Sequence, residues 1–293
     1  MKTKFLKLNF YSLLNGSILI IIALVCLFPM INVLAISLSS KAAVSSGQVK
    51  LWPVDFTLAS YQFVLNKPEF YKSFLVSLKR VLIGVPINMI LTILTAYPLS
   101  KESNKFFGRN LYAWYFMITM LFSGGLIAWY MTILKAGLID SLAALILPGA
   151  IPVFNVLILM NFFRGIPKEI EEAAIVDGAD QWTILFKIYV PLAVPCLATL
   201  ILFCIVTHWN SWFDGIMLMN NPANYPLQSY LQTVIVNQDP SLLTSNQALF
   251  MTQVNDRTNR AAQVVVAALP VLMLYPFVQR FFVKGIIVGS VKG

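Results

Sequence analysis

Apolar positions along this chain come in long unbroken runs separated by short polar interludes. The runs occupy about 16–38, 73–99, 111–134, 142–163, 190–211 and 263–284. A helix crossing the hydrocarbon core of a bilayer needs ~20 mainly apolar residues, so each run predicts one transmembrane helix. The runs are continuous rather than alternating, and an open sheet cannot satisfy its backbone in lipid, which excludes a β architecture. The expected fold class is therefore an all-α integral membrane protein with six transmembrane helices and a polar helix-turn-helix between the fourth and fifth. No stretch long enough for a second, soluble domain lies between the runs, so residues 1–293 read as a single transmembrane domain.

The interlude at 164–189 is the one acidic, helix-prone stretch between long apolar spans. Pro167 suits the first turn of a helix, where its missing N–H would be unpaired anyway. Glu169, Glu171 and Glu172 then sit near the positive end of the helix dipole. Ile170, Ala173, Ala174 and Asp177 follow the i, i+3, i+4, i+7 spacing, which predicts one narrow face with small residues at its centre. Gly178 can adopt the left-handed conformation that ends such a helix, and Trp182, Leu185 and Phe186 begin a second helical stretch. Read by itself, the segment is either a docking surface for another protein or an amphipathic connector with a solvated acidic face.

The string Glu172-Ala173-Ala174, Asp177-Gly178-Ala179, then Ile188 and Pro191, resembles the cytoplasmic coupling loop of ABC importer permeases. Asp-Gly-Ala after Glu-Ala-Ala, and a second proline at Pro195, look most like the carbohydrate branch, the family of the maltose permeases. The outer segment with Leu51-Trp52-Pro53, Phe56-Thr57-Leu58 and Tyr61 is also similar to that family, as is the position of the amide-rich outer loop at 211–262. The resemblance implies that Glu169, Glu172, Ala173, Ala174, Asp177, Gly178, Ala179 and Pro191 couple the chain to an ATPase, with Glu172 meeting a basic group there. It also implies a second homologous permease subunit, two ATPase subunits that carry the ATP and Mg, and an extracytoplasmic sugar-binding protein that the outer loop probes. The transport expected is alternating access around a midplane site.

Composition agrees: 58% of the residues are hydrophobic and 11% charged, against ~25% charged in a soluble domain. Basic residues in short loops favour a cytoplasmic N-terminus. The inside segments then hold Lys2, Lys4 and Lys7, then Lys101, Lys105 and Arg109, then Arg164, Lys168 and Lys187, and finally Lys284 and Lys292. That topology puts both termini and 164–189 in the cytoplasm of a plasma (inner) membrane protein, where ATP is. Lys41, Lys50, Lys67, Lys72, Lys135, Arg257 and Arg260 fall outside, so the net charge of +9 says little about nucleic acid, and no basic stripe with interleaved aromatics supports that partner. The first run exceeds the 7–15 residues of a cleaved signal's apolar region, which favours an uncleaved anchor in the lipid bilayer. Cys26, Cys196 and Cys204 are expected to be buried and inert. The last two lie about 12 Å apart on one helix, too far for a disulfide, and no spacing suits a metal.

A phosphate-cradling Gly-x-x-x-x-Gly-Lys-Ser/Thr loop is absent, so this chain is expected to carry no cofactor, and energy must come from a separate subunit. The sole histidine, His208, has no second imidazole or Cys cluster, and reads as a hydrogen-bonded structural residue beside Trp209. No nucleophile set suggests an enzyme.

Rare polar groups inside the runs mark candidate pathway positions. Lys79 and Arg80 precede Gly84 and Pro86, with Asn88 two turns deeper. Two readings stay open. Both bases snorkel to the outer surface, or Arg80 faces the translocation cavity, where a guanidinium can pair bidentately with a substrate carboxylate. The resemblance extends to importers thought to move uronate-containing oligosaccharides, which makes an acidic sugar one candidate cargo. Trp209, Asn210, Trp212 and Asp214 end the fifth run with flat aromatic faces, an amide and a carboxylate, the groups that stack on and hydrogen-bond to sugars. Trp129 and Tyr130 end part of the third. The aromatic belt of the outer interface is the alternative for both.

The function expected is an ATP-driven importer permease for an oligosaccharide. An ion-coupled secondary transporter of a small polar solute is the alternative, but it calls for a buried carboxylate or histidine relay in the spans, and the acidic residues lie nearly all in loops. A Gly178→Asp change, which adds a side chain and charge at a tight turn, is expected to uncouple transport. Uptake assays on that variant check this, and normal uptake would overturn the assignment.

Overall fold

A computed structural model describes residues 10–236 and 256–290. Lys2, Lys4, Lys7, Lys292 and the 237–255 part of the expected outer loop lie outside the described residues, as does the side chain of Lys284. Helices account for the architecture, with no strand among the described residues. The chain divides into two compact units, residues 1–68 with 235–269, and residues 69–234 with 270–293.

The first unit opens with α1 (Phe10–Ser37). Most of its apolar side chains from Leu13 to Leu34 are exposed, as suits a helix whose solvent is as apolar as leucine. Cys26 is exposed with them rather than buried as the sequence predicts. The end of α1 is fastened by short-range polar contacts. Ser39 Oγ donates to the Ala35 carbonyl at 2.6 Å and accepts from Val54 N at 3.0 Å. Ser37 Oγ lies 2.7 Å from Tyr61 Oη. Short helices α2 (Lys41–Ser45, capped by Ser40) and α3 (Ala59–Leu65) follow.

The second unit begins with α4 (Pro68–Ser100). Proline at its first position supplies a pre-set φ and lacks a donor that would be unpaired. Next come α5 (Arg109–Leu121) and α6 (Gly125–Lys135), then α7 (Leu142–Ile146), continued by a 3₁₀ turn at Leu147–Gly149, and α8 (Val153–Arg164). The polar interlude forms α9 (Lys168–Val176) and α10 (Gln181–Ile184). A π turn at Leu185–Tyr189 leads into α11 (Val190–Leu192) and α12 (Val194–Asn210). After α13 (Phe213–Leu218) and α14 (Leu227–Val236), α15 (Asp256–Ser290) contains the run expected at 263–284.

Among the described residues, α1 and α4 are the single helices long and apolar enough to cross a bilayer. The runs expected as the third, fourth and fifth spans are formed by bent helix pairs: α5 with α6 at 113°, α7 with α8 at 46°, and α10–α11 with α12 at 81°. The causes are local. Gly124 and Gly125, the latter at φ 82°, part the first pair. Pro148 and Pro152 part the second. Pro191 and Pro195 flank the bend at Ala193, where each lacks the amide that would continue the ladder. Hydropathy sees composition and not these breaks.

On α4 the polarity is inverted. Ser73, Ser77, Arg80, Gly84, Asn88 and Thr92 are buried, whereas Leu75, Leu82, Ile83 and Ile90 are exposed. The buried positions recur every three to four residues, one helix face, and lipid-facing positions need only be apolar. The lower part of the same face packs Tyr97, Phe163 of α8 and Tyr189 of the π turn edge to face, with centroids 5.1 to 6.3 Å apart. Higher up, glycine lets α4 meet α12: a Cβ on Gly84 would fall 2.6 Å from His208 Nε2. Gly84→Ala is therefore expected to destabilise the protein by about 1–3 kcal/mol through overpacking, and Gly16→Ala, where a Cβ meets nothing within 4 Å, to leave stability unchanged or raised. Thermal melts of the two purified variants check this.

Candidate functional site

Burying α4's polar face leaves a cavity of about 810 Å³ in the second unit. Arg80 reaches it from α4 with its side chain only 4% exposed. Its guanidinium grips Asp214, at the start of α13, with Nη1 donating to Oδ1 at 3.2 Å and Nη2 to Oδ2. Nη2 also donates to the Leu145 carbonyl at 3.1 Å, and Nε donates to His208 Nδ1 at 3.3 Å. With Nδ1 accepting, the imidazole proton resides on Nε2, which donates to Asn88 Oδ1 at 2.5 Å. Asn88 Nδ2 in turn donates to the Gly149 and Ala150 carbonyls at 2.8 and 3.0 Å.

Asp214 is held from its own side as well, accepting from Ser211 Oγ at 2.8 Å and Gly215 N at 2.9 Å. The network thus joins α4, α7, α12 and α13, and Arg80, His208 and Asn88 find their partners inside the chain. A buried pair with such bonds is held together firmly, and removing one member leaves a naked charge at a cost of roughly 3–5 kcal/mol. Around it the wall is mostly apolar and aromatic, with Trp129, Phe154, Phe203, Asn155 and Thr207 facing the space. Asn155 Nδ2 donates to Cys204 Sγ at 3.3 Å.

Arg80, Asn88, Trp129 and Asp214 therefore meet at one cavity. Lys79, next to Arg80, is exposed, so the two bases point different ways. Tyr130 packs instead on the Ile133, Ala144, Leu145, Leu218 and Met219 cluster. Trp209 is buried edge-on to Phe74 with centroids 5.7 Å apart, whereas Asn210 and Trp212 are exposed away from the cavity lining. His208 joins the network as the sequence's hydrogen-bonded histidine. Asn155 and Ser211 were not legible as lining residues, since nothing periodic marks them.

The second site expected from the sequence lies on α9. Gly178, at φ 80°, closes it with both bonds of a Schellman motif, Ala179 N to Ala174 O at 2.9 Å and Gly178 N to Ile175 O at 3.0 Å. A Cβ there meets nothing within 4 Å. Within this chain the cost of Gly178→Asp therefore lies in the left-handed backbone conformation, which a side chain strains whatever the space. Of the predicted face, Ile170, Ala173 and Asp177 are exposed and Ala174 is half-buried. Glu169, Glu172, Ala173 and Val176 are exposed and share a face, and Ala174 and Ala179 turn inward against the core, with Pro191 exposed beyond the π turn.

Between these faces, Glu171 is 5% exposed. Lys101 Nζ lies 2.8 Å from its Oε2 and Lys105 Nζ 3.6 Å from its Oε1, and Tyr189 Oη donates to Oε2 at 2.7 Å. Burial by itself would raise the Glu171 carboxyl, but bonds from Lys101 and Tyr189 and the charges of Lys101 and Lys105 outweigh it and hold the group below the usual carboxylate range. Lys101 also sits over the rings of Tyr97 and Tyr189, 4.1 and 4.5 Å from their centroids. The sequence offered no sign that Glu171, and not its neighbours, would be the buried one.

A family model described as "Binding-protein-dependent transport system inner membrane component" matches residues 57–288. The polygalacturonan/rhamnogalacturonan transport system permease protein YtcP of Bacillus subtilis is 38% identical over 288 residues, covering 98% of this chain and 100% of that protein. Protein LplC of the same organism is 36% identical over 269 residues, covering 92% and 90%. A chain from the crystal structure of a bacterial ABC transporter involved in the import of the acidic polysaccharide alginate superposes with a TM-score of 0.85 at 32% identity, covering 96% of this chain and 100% of that one. The protein belongs to the family of binding-protein-dependent transport system inner membrane components, the permeases of ABC importers.

Proposed function

We propose that the chain is a permease subunit of an ATP-driven oligosaccharide importer whose cargo carries uronate groups. The observation that carries this reading is likeness along nearly the whole chain to a permease named for polygalacturonan and rhamnogalacturonan and to a chain of an alginate importer. Each name denotes a carboxylate-bearing polysaccharide. A second homologous permease, two ATPase subunits holding ATP and Mg, and an extracytoplasmic binding protein complete the proposed assembly.

The cavity gives the cargo a chemical rationale. Its volume suits a small oligosaccharide, and aromatic faces at Trp129, Phe154 and Phe203 suit the apolar faces of sugar rings. Arg80 is already occupied, so a uronate carboxylate binds there only by competing with Asp214 for the guanidinium. Such a site releases as readily as it captures, which a pathway needs. Neutral sugars have no charge to offer in that exchange.

Coupling uses both sides of α9. Glu172, on the outward face with Glu169, Ala173 and Val176, meets a basic group of the ATPase, and the buried Glu171 ties α9 to the end of α4, the helix that carries Arg80 and Asn88. Asp177, Gly178 and Ala179 set the turn into α10. ATP-driven closure then moves 168–187 as a lever, and α4 conveys that displacement to the cavity.

Replacing the ion pair with neutral partners, Arg80→Gln with Asp214→Asn, avoids stranding a buried charge. Uptake of a uronate oligosaccharide is expected to fall at least about tenfold relative to a neutral one of equal length, the worth of one charge-assisted bond; an equal change for both would overturn the acidic cargo. Glu171→Ala strands Lys101, weakening the attachment of α9 by about 3 kcal/mol, so amide exchange in 168–176 is expected to rise on the order of a hundredfold and uptake to fall while basal ATP hydrolysis persists. In the unsubstituted protein the sign is set by the lowered carboxyl: the Glu171 contribution is present above its unfolded pKa and is lost as pH falls through the lower folded one. Protection factors in 168–176, which remove the intrinsic slowing of amide exchange in acid, are expected to fall on acidification; constant protection would contradict it.

A further inference from the structure

We propose that a pocket bounded by the ends of α4, α5 and α8 binds the phosphate of an anionic phospholipid from the inner leaflet. This rests on the reading above that α9 lies on the cytoplasmic side. The pocket, about 350 Å³, is lined by five basic side chains, Lys101, Lys105, Arg109, Arg164 and Lys168, and by two carboxylates, Glu102 and Glu171.

The carboxylates are already engaged, Glu102 with Lys168 and Glu171 with Lys101 and Lys105. Neither arginine has a carboxylate partner among the described residues. Arg109 Nε and Arg164 Nη2 instead donate to one oxygen, the Leu99 carbonyl, at 3.0 and 3.1 Å. Capping the last turn of α4 is a structural use for either guanidinium, but it brings two like charges onto a single acceptor and leaves both forks largely unused. An anion between them relieves the repulsion and takes up those donors, and a phosphate matches the planar forks.

The neighbouring surface identifies the source. Lys105 and Arg109 bracket Phe106-Phe107-Gly108, and Phe107 is 97% exposed. Beyond Arg109, α5 exposes Leu111, Tyr112, Trp114 and Tyr115. A bare phenylalanine between two bases, followed by interfacial aromatics, suits immersion at a membrane surface, where basic pockets between helices take lipid headgroups. Phe107 enters the acyl region, and the phosphate sits behind it against Arg109 and Arg164.

The test reconstitutes the full chain with its partner subunits in nanodiscs of phosphatidylcholine with and without phosphatidylglycerol, and counts retained lipids by native mass spectrometry. Preferential retention of phosphatidylglycerol is expected, reduced about tenfold by Arg109→Gln with Arg164→Gln and preserved by the corresponding lysine pair. Because both arginines also cap α4, Phe107→Ala is the second variant, expected to reduce retention with the caps intact. A melting shift with millimolar inorganic phosphate and no preference for phosphatidylglycerol would overturn the lipid source. So would loss of the ATPase in the glutamine variant with retention unchanged, which would make this a protein-docking face. Failure of the importer reading would appear differently, as a parent chain that retains the lipid but joins no ATPase.

Discussion

An arginine taken out of water must bring its solvation with it, and the arrangement of the second unit follows from how Arg80 meets that demand. Four acceptors surround one guanidinium, drawn from the start of α13, the end of α7 and the side of α12. Two of these elements, α7 and α13, have only five and six residues. In water, short helices of that kind are marginal. Here each is positioned because a buried charge requires the group it carries, and the cavity is the space that remains once those requirements are met.

The same helix reaches both the cavity and the attachment of α9. Arg80, Asn88 and Gly84 occupy its middle, and Tyr97 and the Leu99 carbonyl, with Lys101 just beyond, occupy the end where α9 is fastened. Between them lie Met89, Ala96 and other residues of the main apolar cluster, shared with α8 and α12. α4 runs unbroken through Pro86 and Pro98.

Much of this was legible in the sequence and the remainder was not, for physical reasons. Long apolar runs located the helical segments because lipid imposes a length and a composition. The Gly178 turn was legible because only a few residues adopt its conformation readily. The breaks at Gly124–Gly125 and Ala193 were not, since glycine and proline are also tolerated in unbroken membrane helices, as Pro86 demonstrates. Nor could spacing select Glu171 over Glu172 as the buried carboxylate: that choice depends on Lys101, some seventy residues away. Arg80 was visible as an oddity, but its partner was not, because Asp214 reads as an interfacial residue until α13 folds back.

The inverted face of α4 has a consequence for how such a chain varies. On the outside, Leu75, Leu82, Ile83 and Ile90 are asked only to be apolar, and almost any exchange among aliphatic residues meets that request. On the inside, Ser77, Arg80, Gly84 and Asn88 each answer to a particular neighbour, whether an amide, a carboxylate, an imidazole or a pair of carbonyls. The information that makes this membrane helix itself is therefore written in its few polar letters, and the many hydrophobic ones, which announce its presence, say little about its identity.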